Sequence, residues 1–205
     1  MGEEALAIGG ASGFWGEAPH ATAQLLAAAR LDVLVYDYLA EITMSLLARA
    51  KAKDPAMGYA PDFVTDAMAP NLDAIAAKGV RVVSNAGGLN PAACAAKLRE
   101  EIARRGLPLS VGVVEGDDLS TRGWAGAEEM FSGARFPEGV APASANAYLG
   151  AFPIAAALHA GADIVITGRI ADSAATLGAC IWRFGWGAGD LDRLAAGSLA
   201  GHILE

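Results

Sequence analysis

Cysteine, histidine and basic residues are scarce in this chain, and each shortage closes off a class of function. Two cysteines in 205 residues cannot build a disulfide framework. Cys94 and Cys180 read instead as buried free thiols in Ala-rich helical stretches, and with the three histidines they form no spacing that resembles a zinc site. Fifteen Lys and Arg stand against 23 Asp and Glu, a net charge of −8, with no basic cluster. A nucleic-acid backbone would be repelled by that surface, so no nucleic-acid partner is expected. Glu3 and Glu4 occupy the place of a basic signal-peptide head, which points to a cytoplasmic protein. The uncharged stretch 139–162 is broken by Pro142, Asn146, Gly150, Pro153 and His159, so it reads as a loop entering a buried helix and no membrane association is expected.

What is present suits a globular α/β domain. At this length about 70% of the unfolded chain's surface can be buried. Hydrophobic residues make up 54%, and 47 residues are Ala, small enough for helices to lie close on a sheet. Five short apolar runs recur, at 5–8, 32–36, 80–84, 109–114 and 163–167, each followed by a turn and a helical pattern. The third and fifth are almost continuously apolar and rich in β-branched residues, as strands covered on both faces are. Helices are expected at 19–30, 40–53, 62–78, 91–104, 147–160 and 173–184, the last capped by Asp172 or Ser173. Asn90 before Pro91 reads as a cap and first helical turn, and Gly79, Gly106 and Gly161 fall where helices stop.

This alternation predicts an open, doubly wound parallel sheet of about five strands with helices on both faces, a Rossmann-like arrangement; part of a larger α/β barrel is the alternative. Residues 1–205 read as a single α/β domain. Residues 119–144 lack periodicity and are expected to be a functional or disordered loop. Residues 190–205 read as a helix and the start of a strand, which suggests a longer protein.

Ligands of such sheets bind at the carboxyl edge of the strands, and there the sequence concentrates Gly, acids and one Arg. Strand one leads into Gly9–Gly16, which has neither dinucleotide nor P-loop spacing. The small residues Gly10, Ser12 and Gly13 read either as a tight turn or as amides open to an anion. Asp37 stands where a ribose-binding acid would, which keeps an adenine nucleotide open, and Glu41 follows it. Asn85, Gly87, Gly88 and Asn90 form a turn plus cap, or amides for a carboxylate or oxyanion. Glu115, Asp117 and Asp118 crowd within four residues, and Asp172 approaches the same edge. Like charges that close need compensation: a divalent cation held by oxygens (by Asp117 and Asp118 if one binds), a raised pKa that makes one acid a proton donor, or Arg169. Arg169, with Thr167 and Gly168, is the candidate clamp for a carboxylate or phosphate. No Ser–His–Asp triad can be assembled, so carboxylates, Arg169 and backbone amides are the available chemistry.

Tyr38–Met44 (YLAEITM), Ser84–Pro91 (SNAGGLNP), Glu115–Asp118 (EGDD) and Thr167–Ser173 (TGRIADS) together resemble the acyclic terpene utilisation protein A family, over Ile8–Glu205. The founding member of that family belongs to bacterial citronellol and geraniol catabolism. The resemblance implies a longer protein with a further Gly-rich motif, and a role with branched or isoprenoid acyl-CoA thioesters, CoA being part of the substrate. Two readings follow. One is a lyase or hydratase acting on an acyl-CoA or related carboxylate, with Glu115, Asp117, Asp118 or Asp172 as catalytic acids. The other is a non-catalytic ligand-binding or partner subunit, as a homo-oligomer or in complex with another catabolic enzyme.

Overall fold

The computed structural model describes residues 5–124 and 126–205. Five parallel strands form one open sheet in the order β1-β2-β3-β5-β4: β1 Ile8–Ser12, β2 Val33–Tyr36, β3 Arg81–Ser84, β4 Val111–Val114 and β5 Ile164–Thr167. The helices are α1 Ala21–Leu26, α2 Glu41–Lys53, α3 Leu72–Lys78, α4 Pro91–Arg105, α5 Phe152–His159, α6 Ala174–Phe184 and α7 Leu191–Leu204. The expected α/β class with an open parallel sheet is therefore observed.

Successive residues of a strand face opposite sides, and the core divides accordingly. Leu34, Tyr36, Val82, Ile164 and Ile166 pack against α2, α4 and the segment 63–78. Val33, Val35, Val83 and Val165 pack against α5 and α6 on the other face. This two-sided cover is why the strands read as unbroken apolar runs rather than alternating ones. Cys94 and Cys180 are free and buried, as expected. Among the described residues no helix is long and apolar enough to cross a membrane.

Four local readings are corrected. The helix expected at 62–78 is interrupted: a π-helical turn at Phe63–Met68 and a 3₁₀ turn at Ala69–Asn71 precede α3. Pro70 is the cause, because it supplies no N–H to an α-helical ladder and crowds the preceding turn. The first strand lies at 8–12 rather than 5–8, so Gly9, Gly10 and Ser12 are strand residues; the pairing with β2 shifts between Gly10 and Ser12, a bulge at Ala11. Helix α5 starts at Phe152 rather than 147, with Gly150 ahead of it and Pro153 in its first turn. The end of the chain is the single helix α7, without a strand.

Strand order reverses once. The chain passes from β3 across to the edge strand β4, then returns to insert β5 between them. The loops after β3 and β5 thus run to helices on opposite faces, α4 and α6, and a crevice opens between them. Open α/β sheets bind ligands at such a switch point.

Candidate functional site

The residues that converge at this crevice come from four strand ends and from the tip of α7. Arg169, just after β5, is only 4% exposed. Its Nη1 donates to the Ile170 carbonyl at 3.0 Å and lies 2.9 Å from the Asp172 carboxylate. The ring of Tyr148 covers the guanidinium, with Cζ 4.0 Å from the ring centroid. Stacking of that kind holds an Arg plane in place while leaving its edge free for hydrogen bonds.

Tyr148 is put there by backbone pairing. Residues 145–149 thread between the ends of β4 and β5: Leu119 N–H donates to the Ala145 carbonyl, Ala147 N–H to Asp117, and Leu149 N–H to Arg169. The Tyr148 hydroxyl donates to the Glu41 carboxylate at the start of α2. That bond is the largest influence on Glu41 and holds its carboxyl below the usual range. Beside this chain of contacts lies an open depression of about 200 Å³, lined by Glu41, Met44, Ser144, Asn146, Tyr148 and Arg169.

Asp172, the partner of Arg169, belongs to a second group of acids. One carboxylate oxygen each from Asp37, Asp172 and Glu205 lies within 4.8 Å of the others. Asp37, at the end of β2, is 9% exposed. Its Oδ1 accepts from Asn85 Nδ2 at 2.5 Å and from Leu39 N–H at 3.2 Å. Its Oδ2 is buried and has no hydrogen-bond partner among the described residues. Burial pushes the Asp37 carboxyl up to about 6, with the charges of Glu205 and Asp172 adding to the effect against the two hydrogen bonds. Asn85 is in turn fixed by accepting Tyr38 N–H at 2.7 Å.

The other expected site residues have structural partners. Asp117 is buried, and its Oδ2 accepts from Arg169 N–H at 2.7 Å and from Asn146 Nδ2 at 2.8 Å. A side chain at Gly168 would run into that carboxylate, with Cβ 2.5 Å from Oδ2, so Gly168 makes room for Asp117 rather than for a ligand. Thr167 is fully buried and donates to the Gly168 carbonyl. Asp118 is exposed, and its Oδ1 accepts from Ser120 N–H at 2.8 Å. Partial burial raises its carboxyl, but the Ser120 bonds and the charge of Lys51 outweigh this and hold it low. Glu115 is exposed at the end of β4, the edge strand, with β3 and β5 between it and β2.

The amides of residues 88–90, proposed as anion binders, are likewise engaged. Gly88 N–H donates to the Asn85 carbonyl, Leu89 N–H to Gly58 and Asn90 N–H to Gly87. Asn90 caps α4 as expected, accepting from Ala93 N–H at 3.4 Å, and its amide donates to the carbonyls of Pro55 and Met57. Gly87 allows β3 and β5 to close up, since a Cβ there would lie 2.5 Å from the Thr167 carbonyl oxygen. Gly13 N–H is taken by the Glu17 carboxylate at 2.6 Å, and the Ser12 hydroxyl by the Phe14 carbonyl. Gly10 lets the end of α7 approach β1: its Cβ would stand 2.7 Å from the Leu204 carbonyl oxygen. These glycines deliver Glu205 into the crevice. Ser173 does not cap α6 with its side chain; its hydroxyl meets Ser198 of α7 at 2.9 Å, and Asp172 is turned to Arg169.

Of the expected residues, the fold therefore joins Glu41, Asn85, Arg169 and Asp172. Asp37, expected at the end of the second strand, joins them through Asn85 and Asp172, and the fold adds Tyr148, Asn146 and Glu205. Nothing in local periodicity marks Tyr148, which lies in a stretch that reads as helix.

The profile of the family described as "Acyclic terpene utilisation family protein AtuA" matches residues 6–205. No curated protein and no solved structure gives a match. With the profile spanning essentially all of its length, the chain belongs to the acyclic terpene utilisation protein A family.

Proposed function

We propose that the chain is an enzyme of branched or isoprenoid acyl-CoA catabolism, a lyase or hydratase, acting on an acyl-CoA or related carboxylate in the crevice between β3 and β5. The observation that carries this reading is the connected set Glu41–Tyr148–Arg169 around an open depression. Additions to and eliminations from a thioester need two things: a fixed positive group for the developing enolate or a substrate carboxylate, and a group that moves a proton. Arg169 supplies the first. Held by Asp172 and the Ile170 carbonyl, its guanidinium loses little freedom on binding an anion. The Tyr148 hydroxyl and Glu41 supply the second: the carboxylate stays ionised and orients the phenol proton. Met44 and Ala145 give the depression an apolar side for a branched acyl chain.

The test is isotope exchange. Purified protein incubated with saturated and α,β-unsaturated isoprenoid acyl-CoAs in D₂O should give deuterium at the α-carbon or a hydrated product, read by mass spectrometry. Binding of those thioesters with no exchange and no product refutes the enzyme reading.

A second reading, a non-catalytic partner subunit, is supported by one feature. Leu191, Leu199 and Ile203 are exposed along one side of α7, at 71%, 62% and 76%. It requires stable association, with a second copy or another catabolic enzyme, and no turnover by the protein alone; a monomer in light scattering that consumes substrate excludes it.

A further inference from the structure

The geometry points to a divalent-cation site formed by Asp37, Asp172 and Glu205 at the floor of the crevice. The donors are all oxygens, which selects a hard ion, Mg²⁺ or Mn²⁺, over zinc or copper. Three carboxylate oxygens within 4.8 Å of one another are close enough to share one ion after small side-chain movements. Among the described residues Arg169 pairs with Asp172 alone of the three, and His202 Nδ1 lies 3.5 Å from the Glu205 carboxylate, so no basic group is paired with Asp37.

Proximity of acids alone would be weak ground. The independent observation is the Oδ2 of Asp37: fully buried, unpartnered among the described residues, and on a side chain whose other oxygen is already tied to Asn85 and Leu39. Buried polar atoms without a partner are rare, and each calls for an explanation. A cation between the three acids gives this one its missing partner. The supporting shell is of the kind that ordinarily orients metal ligands. Asn85 fixes Asp37, Arg169 fixes Asp172, and α7 presents Glu205 because Gly10 and Gly13 allow its end to lie against β1.

Mg²⁺ and Mn²⁺ prefer six ligands, so three protein oxygens leave about three positions for water or substrate oxygen. Arg169 links the two places, since it lines the depression and pairs with Asp172 at 2.9 Å. The cation thus deepens the proposed function and rests on that site for its purpose. Its binding, however, can be read without any thioester.

The experiment is a Mn²⁺ titration of the 205-residue chain followed by electron paramagnetic resonance, with Mg²⁺ as competitor, at about 0.15 M salt to screen diffuse attraction to the acidic surface. One ion should bind, be displaced by Mg²⁺, and weaken at least about tenfold in Asp37→Asn and in Glu205→Gln, with Asn85→Ala losing about 10–100-fold through its support of Asp37. Asp118→Asn should bind as the parent does. Equal binding by the parent and Asp37→Asn, or loss of the ion in Asp118→Asn, overturns the inference. If Mn²⁺ fails while isoprenoid acyl-CoA still binds in an Arg169-dependent way, the cation is wrong and the proposed function stands.

Discussion

Replacing Asp37 with asparagine should stabilise the metal-free protein at neutral pH, and the gain should vanish in acid. Burial first, then the Glu205 and Asp172 charges, raises the Asp37 carboxyl from 3.8 to about 6. For an acid whose folded pKa lies above its unfolded one, the folded state holds the proton more tightly. Stability therefore falls as pH rises from about 4 to 6, and the full penalty applies above 6. A gap of about 2 pH units at 1.36 kcal/mol each is about 3 kcal/mol. Asn removes the charge yet keeps an oxygen for Asn85 Nδ2 and Leu39 N–H, and its amide can donate toward Asp172 and Glu205. At about 2–4 °C per kcal/mol for a domain of this size, the variant should melt about 6–12 °C higher at pH 8. The assay is thermal unfolding by circular dichroism in EDTA, parent against Asp37→Asn, from pH 4 to 8. The same gain at pH 4 as at pH 8, or a loss at pH 8, would refute the electrostatic account.

The remaining expectations concern the scaffold and the proton-moving pair. Asp117→Ala strands the Arg169 N–H and the Asn146 amide, so denaturant titration should show a loss of about 1–3 kcal/mol; an unchanged midpoint with abolished turnover would instead make Asp117 a catalytic group. Gly168→Ala drives a methyl to 2.5 Å from Asp117 Oδ2 and should destabilise by a similar about 1–3 kcal/mol, read in the same titration. Tyr148→Phe keeps the ring over Arg169 but removes the bond to Glu41, so turnover should fall about 10²–10⁴-fold with thioester affinity largely retained. Equal loss of both would mean that Tyr148 only shapes the pocket.

The parallel sheet was legible because its signal is redundant: apolar runs such as Ile164–Thr167, a Gly stop at Gly79 and Gly106, and the Asn90–Pro91 start all point one way. Boundaries were lost where a single residue overrides periodicity, as Pro70 does, and where glycines packed under a helix look like turn residues, as Gly9 and Gly10 do. The strand-end rule placed Asp37, Glu41, Asn85, Arg169 and Asp172 in one crevice. It failed to separate residues that serve the site from those that hold its frame. Asp117 and Gly168 are adjacent to the chemistry in sequence, yet they complement each other. Tyr148 and Glu205 arrive through long-range packing, of residues 145–149 between two strand ends and of α7 on β1, which no local pattern encodes.

The most direct test of the account is calorimetric titration of an isoprenoid acyl-CoA into the parent protein and into Arg169→Met, with unfolding curves to show that both are folded. Saturable binding by the parent that drops at least about tenfold in Arg169→Met is the result expected of a charge-assisted clamp contributing about 1.5–3 kcal/mol. Equal affinity in the two proteins would contradict the placement of the substrate at Arg169.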